Sequence, residues 1–267
     1  PSLKKQYGLG FSSGVVAAAA NLGPIIPPSG AMIVYAFMAG STVSVGGLFM
    51  AGVVPGLILF LTLMALCWFI SWKRDYPLVG DGFTFRNALR QTRRSLIVFM
   101  MPVVVIGGIV AGAFTPTEGA AIGVCYALVI GFFVTGKLKV SDLPGVLLTA
   151  AKTTAMVGAM IAFASTVTFL FTIDLLPIKL AGAIKGLTDS PMVFLLLVAL
   201  MMLVVGMFLE SNAANIMLVP LFHPIALQFG IDPLHFGFLF VLNLVIGMLT
   251  PPVGVILFVV CGITGVK

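Results

Sequence analysis

The chain has 267 residues, of which 60% are hydrophobic and only 8% are charged, and its mean hydropathy is +1.21. Soluble domains carry about 25% charged residues, so this composition excludes an ordinary water-soluble globule. The net charge of +6 does not indicate nucleic acid, because six of the fourteen basic residues cluster at 73–94 between two apolar runs. That placement is typical of a cytoplasmic loop of a membrane protein.

The first apolar segment, residues 5–40, contains NLGPIIPPSG in its middle and is predicted to form a broken helix. Proline removes a backbone donor and clashes with the carbonyl four residues earlier. In the hydrocarbon core of a membrane, no water is available to form a hydrogen bond with that carbonyl. Pro27 is therefore predicted to free the carbonyl of Gly23, and Pro28 that of Pro24.

The same segment contains GFSSG at 10–14, which matches the G-x-S-x-G pattern of serine hydrolases. That pattern requires a strand–turn–helix context, whereas here it opens a membrane helix. Only His223 and His235 are available as a base for Ser12, and no acid is evident to orient either. An intramembrane hydrolase is the alternative from another functional class, and His223 itself is interpreted as a packed or hydrogen-bonded helix residue.

With the basic segment 73–94 in the cytoplasm, the membrane spans in the middle of the chain run alternately outward and inward. Residues 141–152 are predicted to form a short interfacial helix, and 173–191 an amphipathic segment at the outer face. Apolar runs near the ~20 residues that a bilayer requires are predicted membrane spans: 43–72, 95–113, 119–135 and 153–173.

Between two of these spans, GAFTPTEGAA carries the signature of a helix start. Thr115 suits the N-cap, Pro116 suits the first helical position, and Glu118 completes a capping box. A second role of this motif at the outer mouth of a transport pathway stays open.

Two apolar stretches, 192–209 and 211–229, are joined by FLESNAANI and are predicted to form a helical hairpin over 190–229. Whether the hairpin crosses the membrane or re-enters on one side, both of its ends lie outside. An ionisable group at membrane depth indicates function, and the alternative is a solvated turn between two full spans. The candidate ligands at the tip are Glu210, Ser211, Asn212 and Asn215, with the carbonyl of Gly206 beside them.

The last span, 235–265, repeats the interruption of the first. Its sequence VIGMLTPPVG shares the pattern G-x-x-x-P-P-x-G with the first break, so that Gly247 aligns with Gly23 and Gly254 with Gly30. The first copy runs outward and the second inward. Paired broken helices of opposite direction are typical of inverted-repeat transporters with binding sites at the middle of the membrane.

The prolines of the second break are likewise predicted to free the carbonyls of Gly247 and Met248. Free carbonyls at the end of a half-helix carry partial negative charge and suit a small hard cation. Thr250 adds a hydroxyl oxygen beside the second break, and Asn21 adds a side-chain amide beside the first. The sequence therefore predicts two cation sites, one in each repeat.

Five segments resemble, in this order, the DctM-like large membrane subunit of TRAP (tripartite ATP-independent periplasmic) transporters. They are LGPIIPPSGAMIVY, GAFTPTEGAAIGVCYAL, AAKTTAMV, GMFLESNAANIMLVPLFHPIA and HFGFLFVLNLVIGMLTPPVG. The resemblance runs from about residue 5 to the end and covers the later part of that subunit. We therefore expect the 267 residues to be a transmembrane transport domain within a longer subunit that also has an earlier hairpin.

The resemblance implies an all-α polytopic fold of the ion-transporter superfamily type, with inverted repeats. It implies a secondary transporter, not an enzyme, in a bacterial or archaeal inner membrane, with Na+ as the coupling ion and no organic cofactor. Its expected partners are the lipid bilayer, a small four-helix membrane subunit, and a periplasmic protein that delivers an organic acid such as a C4-dicarboxylate or sialic acid. Transport is expected to be elevator-like.

The resemblance also implies two sodium sites made largely of main-chain oxygens. One would use Gly23, Ile26 and Pro28 with the earlier hairpin, and the other would use Gly206, Gly247, Thr250 and Val253. No arginine lies at a broken helix, so the anion is expected to be held by helix ends, hydroxyls and amides. A carrier of the same superfamily that works without a binding protein is the remaining alternative.

Overall fold

The computed structural model describes residues 7–76 and 84–265, and it confirms an all-α fold without strands in that part of the chain. Within the described residues, four helices are long and apolar enough to cross a membrane: Val45–Lys73, Pro116–Val134, Val140–Ile173 and Pro191–Phe208. This is the architecture of a polytopic membrane protein.

The chain divides into two compact units, one formed by residues 1–78 with 160–267 and the other by residues 79–159. The division falls inside α6 (Leu143–Ile173). The other helices of the first unit are α1 (Leu9–Ala20), α2 (Gly30–Ala39), α3 (Val45–Lys73), α7 (Leu176–Leu187), α8 (Pro191–Phe208), α9 (Ser211–Gln228), α10 (Pro233–Gly247) and α11 (Val255–Thr264).

Both predicted interruptions are present in the first unit. Residues 21–29 separate α1 from α2, and residues 248–254 separate α10 from α11. The Pro27–Pro28 and Pro251–Pro252 peptide bonds are both cis. Helix α1 packs against α11, and α2 packs against α10. The two broken helices therefore lie side by side in opposite directions, with their breaks at the same level.

Aromatic side chains hold the hairpin against the broken helices. Phe194 of α8 stacks on Phe229 at 4.7 Å between ring centroids, and it also stacks on Phe236 of α10. Phe236 contacts Phe240, which in turn contacts Tyr35 of α2. Buried aromatic side chains remove about 150–250 Å² each from solvent, so this cluster is a large part of the packing between these helices.

The second unit contains α4 (Phe85–Val110) and α5 (Pro116–Val129), which continues as a π-helical turn over Ile130–Val134. The hydroxyl of Tyr126 donates to the carbonyl of Ile97 at 2.7 Å and joins the two helices. The predicted capping box is confirmed, since the Thr115 hydroxyl accepts the Glu118 amide and the Glu118 carboxylate accepts the Thr115 amide.

One prediction of local structure is wrong, and another gains detail. Residues 85–94 of the predicted cytoplasmic loop 73–94 form the first turns of α4, because FRNALRQTRRSL is rich in strong helix formers, and the apolar part of this helix begins at Ser95. Residues 77–83 of that loop lie outside the described residues. The interfacial helix predicted at 141–152 and the span predicted at 153–173 are one continuous helix, α6, because no glycine or proline separates them.

Candidate ion and substrate site

The first break leaves backbone oxygens unpaired at the three positions assigned to a cation site. Among the described residues, no hydrogen bond is donated to the carbonyl of Gly23, Ile26 or Pro28. The prediction for Pro24 is wrong, because its carbonyl accepts the hydroxyl of Ser29. The same hydroxyl oxygen accepts the amide of Met32 at 3.2 Å and caps α2. The side chain of the last residue of the break thus supplies the hydrogen bond that proline removed.

Asn21, the residue that directly follows α1, brings a polar side chain to the first break. Its side chain is 6% exposed, and its Oδ1 atom has no hydrogen-bond partner within the described structure. Leaving a buried amide oxygen unpaired costs about 1–3 kcal/mol. Such an oxygen needs an explanation, and a bound cation or polar solute supplies one.

In the second break, the predicted carbonyls are paired. The carbonyl of Gly247 accepts the amide of Thr250 at 2.8 Å, and that of Met248 accepts the amide of Ile256 at 3.2 Å. Proline removes only its own amide donor. Other amides replace it: that of Thr250, three residues after Gly247, and that of Ile256 in α11. Within the described residues, the carbonyls that accept no hydrogen bond lie at 249–253 instead.

Thr250 and Val253 both lie in this second break. The hydroxyl of Thr250 donates to the carbonyl of Ile246 at 3.1 Å, which leaves the lone pairs of the hydroxyl oxygen available to a cation. The side chain of Val253 is exposed, so only its carbonyl is suited to bind an ion.

Gly206 and Gly247 are brought together where α8 crosses α10. A Cβ atom on Gly247 would lie 2.7 Å from the Gly206 Cα and 2.5 Å from the carbonyl oxygen of Leu203. A Cβ on Gly206 would lie 3.0 Å from the Gly247 Cα and still closer to the carbonyl oxygen of Leu244. Only glycine allows the two backbones to approach this closely.

A backbone hydrogen bond also ties the hairpin to the second break. The amide of Gly254 donates to the carbonyl of Met207, near the end of α8, at 2.9 Å. Gly254 has φ of +57°, a conformation that favours glycine. The carbonyl of Gly206, one residue earlier, accepts no hydrogen bond from the residues that follow α8.

At the hairpin tip, Glu210 caps α9 with its own carboxylate. Its Oε2 atom accepts the amides of Asn212 at 3.0 Å and Ala213 at 3.2 Å, and its Oε1 atom accepts the hydroxyl of Ser211 at 3.1 Å. A carboxylate at a helix N-terminus interacts favourably with the helix dipole. The local role of Glu210 and Ser211 is therefore to start this helix.

Asn212 and Asn215 differ from these two residues because their Oδ1 atoms are buried and have no partner within the described residues. Asn215 is fully buried, and its Nδ2 atom donates to the carbonyl of Ala31 at 3.0 Å. Ala31 lies in the first turn of α2, directly after the first break. The hairpin thus contacts both broken helices.

The sequence analysis did not identify two further polar residues, Ser29 and Tyr35. Ser29 closes the first break, and Tyr35 of α2 forms a hydrogen bond with His223, whose ring also contacts Thr42. The interpretation of His223 as a hydrogen-bonded helix residue is confirmed. A serine directly before a helix start was the available signal for Ser29, but no local pattern identifies Tyr35.

The serine-nucleophile pattern has no support in the structure. Ser12 lies within α1, and its hydroxyl donates to the carbonyl of Gly8 at 2.7 Å. The exposed strand–turn–helix corner that a hydrolase nucleophile requires is not formed at this position.

Similarity to known proteins extends over nearly the whole chain. The family described as "Tripartite ATP-independent periplasmic transporter, DctM component" matches residues 2–267. The chain is 40% identical over 263 residues to the C4-dicarboxylate TRAP transporter large permease protein DctM of Pseudomonas aeruginosa, covering 98% of this chain and 61% of that protein.

Two other relatives carry different substrate names. The isethionate TRAP transporter permease protein DctMQ of Oleidesulfovibrio alaskensis is 41% identical over 268 residues, or 99% of this chain and 41% of that protein. The sialic acid TRAP transporter large permease protein SiaM of Vibrio cholerae is 38% identical over 255 residues, or 96% of this chain and 59% of that protein. All three are permease proteins of transporters, not enzymes, and this chain spans 41–61% of their lengths.

Proposed function

This chain belongs to the DctM family of tripartite ATP-independent periplasmic transporter components, and from that premise we propose that it forms part of the large permease subunit of a sodium-coupled organic-acid importer. We place the subunit in the inner membrane, beside a small four-helix membrane subunit, with substrate delivered by a periplasmic binding protein.

The observation that carries the sodium proposal is the pair of antiparallel broken helices with oxygens in both breaks that accept no hydrogen bond. These oxygens belong to main-chain carbonyls, the Asn21 amide and the Thr250 hydroxyl, and no group of three or more His, Cys, Asp or Glu side chains suited to a metal ion occurs in the described residues. Oxygen ligands suit hard cations. Because these oxygens are neutral, they favour a monovalent cation such as Na+.

The substrate class is proposed from the relatives and from the charges of this chain. The relatives are named for C4-dicarboxylate, isethionate and sialic acid, which are all organic acids. Every arginine of this chain lies at 74–94, away from both breaks in sequence. We therefore propose that helix N-termini, hydroxyls and the amide nitrogen of Asn212 bind the anion, in keeping with broken-helix transporters.

For the transport step, we propose that the hairpin and both broken helices move together as one body in an elevator-type mechanism. Two contacts support this grouping: the close crossing of Gly206 and Gly247, and the hydrogen bond from Asn215 to Ala31. Both contacts lie within the first compact unit.

The test is uptake by the full-length subunit, co-reconstituted into liposomes with its small membrane subunit and supplied with purified binding protein. Radiolabelled C4-dicarboxylate, isethionate and sialic acid are offered in turn, under an inward sodium gradient or an equal potassium gradient. We expect accumulation of one of these acids only when both sodium and binding protein are present.

The remaining outcomes separate the alternatives. Sodium-driven uptake without binding protein would identify a stand-alone carrier, and uptake that is equal in potassium would refute sodium coupling. No uptake of any acid together with cleavage of a membrane substrate would support the hydrolase alternative.

A further inference from the structure

A buried histidine joins the second arm of the hairpin to the first broken helix. His223 of α9 is 3% exposed, and its Nδ1 atom lies 2.9 Å from the hydroxyl of Tyr35 in α2. Its Nε2 atom lies 2.8 Å from the hydroxyl of Thr42, in the 3₁₀ turn that follows α2. The ring of His223 therefore contacts both α2 and the turn that follows it, although Tyr35 and His223 are 188 residues apart in the sequence.

The hydroxyl of Thr42 also lies 3.0 Å from the carbonyl of Ala39. A neutral imidazole can satisfy all of these groups at once when the Thr42 proton goes to Ala39, Nε2 donates to the Thr42 oxygen, and Nδ1 accepts the proton of the Tyr35 hydroxyl.

Packing holds Tyr35 in the position that this network requires. Its ring lies against Gly237 of α10, where a Cβ atom would come within 2.6 Å of the Tyr35 Cε1. Phe240 contacts the same ring, with 5.6 Å between centroids. Tyr35 is fully buried and has little freedom to leave His223.

The network joins the two helices that lead away from the hairpin tip and from the first break. Helix α9 begins at the hairpin tip, and Asn215, which donates to Ala31, precedes His223 by eight residues, or about 12 Å of helix. Helix α2 begins directly after the first break. Two polar contacts therefore set the register between the element that follows the tip and the element that follows the first break.

We propose that His223 is a positioning residue that clasps α9 to α2, so that the two candidate cation sites bind sodium as a coupled pair. This inference rests on the proposed sodium-coupled transport. It assigns to His223 neither ion binding nor proton transfer, because both of its nitrogens are occupied by Tyr35 and Thr42.

The experiment measures uptake against sodium concentration in the full-length transporter. Tyr35→Phe is expected to raise the half-saturating sodium concentration about fivefold, as loss of one net hydrogen bond implies, and to lower the Hill coefficient. His223→Leu, which also removes the contact with Thr42, is expected to have at least that effect. The double variant is expected to match His223→Leu alone, because both changes break the same contact. His223→Asn, whose amide can stand in for Nδ1, should restore part of the wild-type behaviour.

Matched controls separate positioning from a general loss of stability. His235→Leu makes the same change at an exposed histidine, and Tyr126→Phe removes a comparable hydroxyl hydrogen bond in the second compact unit. Both controls should keep the wild-type sodium curve. Unchanged sodium activation in an inserted His223→Leu or Tyr35→Phe variant would overturn the clasp.

Hydrogen exchange gives a readout that does not depend on sodium transport. In Tyr35→Phe, which removes one oxygen atom, amides at 211–218 and 30–34 should exchange faster, while those of α4 and α5 should not change. If uptake by the wild-type protein did not depend on sodium, the proposed function would be refuted. The hydrogen-exchange rates would still decide whether the contact between His223 and Tyr35 joins α9 to α2. Uniform exchange in the variant and the wild type would overturn the clasp as well.

Discussion

In the first break, the hydroxyl of Ser29 takes up the carbonyl of Pro24 from within the same broken helix. In the second break, backbone amides do the corresponding work: Thr250 pairs with Gly247, and the amide of Gly254 reaches across to Met207 of the hairpin. The two breaks share G-x-x-x-P-P-x-G, yet the first is closed by a side chain and the second by backbone groups. One motif therefore determines where a helix stops, and its surroundings determine which oxygens remain free.

The difference extends to the crowding of the first glycine of each motif. Gly247 lies against the backbone of α8, whereas a Cβ on Gly23 would meet only the carbonyl oxygen of Ala20, at 3.3 Å. Among the described residues, a hairpin helix, α8, crosses the second break this closely, and no helix comes this close to Gly23 in the first break.

The largest expected effect is from Gly247→Ala. The added Cβ would lie 2.5 Å from the Leu203 carbonyl oxygen, and overpacking of this kind costs about 1–3 kcal/mol. Gly23→Ala should cost clearly less. The measurement is the midpoint of thermal unfolding in detergent for both variants.

Gly262→Ala is the control for these glycine substitutions, since a Cβ there meets nothing within 4 Å in α11. Alanine at such a helical position should be neutral or slightly stabilising. Equal losses for Gly247→Ala and Gly23→Ala would contradict the asymmetry and would show that the first break is equally crowded.

A smaller effect is expected from Thr250→Val, which removes a hydroxyl oxygen and keeps the shape of the side chain. If this oxygen binds the proposed cation, the half-saturating sodium concentration for uptake should rise about tenfold, equivalent to about 1.4 kcal/mol. The aligned residue of the first break, Ile26, offers no such oxygen.

Thr250→Ser retains the hydroxyl and should retain the sodium response. The unfolding midpoint of Thr250→Val should change little, because the lost hydrogen bond to Ile246 is local and exposed. A wild-type sodium curve in an inserted Thr250→Val variant would remove the hydroxyl from the proposed site.

The smallest expected effect is from Ser29→Ala. Loss of this helix cap should destabilise the protein by about 1 kcal/mol and speed hydrogen exchange in the first turn of α2. Ser44→Ala is the matched comparison, because Ser44 caps α3 by accepting the amide of Gly47 at 2.9 Å but closes no break. Both should lower the unfolding midpoint, and only Ser29→Ala should change sodium activation. Identical sodium curves in the two variants would show that Ser29 acts as a cap alone.

The positions of the breaks were predictable because proline and glycine act locally. The identities of the free carbonyls were not, since a carbonyl released by Pro251 or Pro252 can be taken up by any nearby amide. Thr250 supplies one from within the turn, and Ile256 supplies another from the next helix. Such partners depend on the path of the chain after the proline, which the motif does not specify.

Contacts distant in sequence were the least predictable part of the site. The pairing of His223 with Tyr35 depends on α9 lying beside α2, and no spacing in the chain encodes that neighbour. By contrast, the capping box at Thr115 and Glu118 followed directly from its four residues. The single helix α6 was predicted as two segments, although neither glycine nor proline lies at the boundary between residues 152 and 153.

The crossing of α8 and α10 has a consequence for how this protein can diverge. A larger residue at Gly206 or Gly247 forces the two backbones apart, and the amide of Gly254 then loses its reach to Met207. In a library randomised at both glycines, we expect the surviving clones to keep both small residues together or to carry a second change that shifts α10. We therefore expect that neither glycine can be replaced by a larger residue without a compensating change elsewhere.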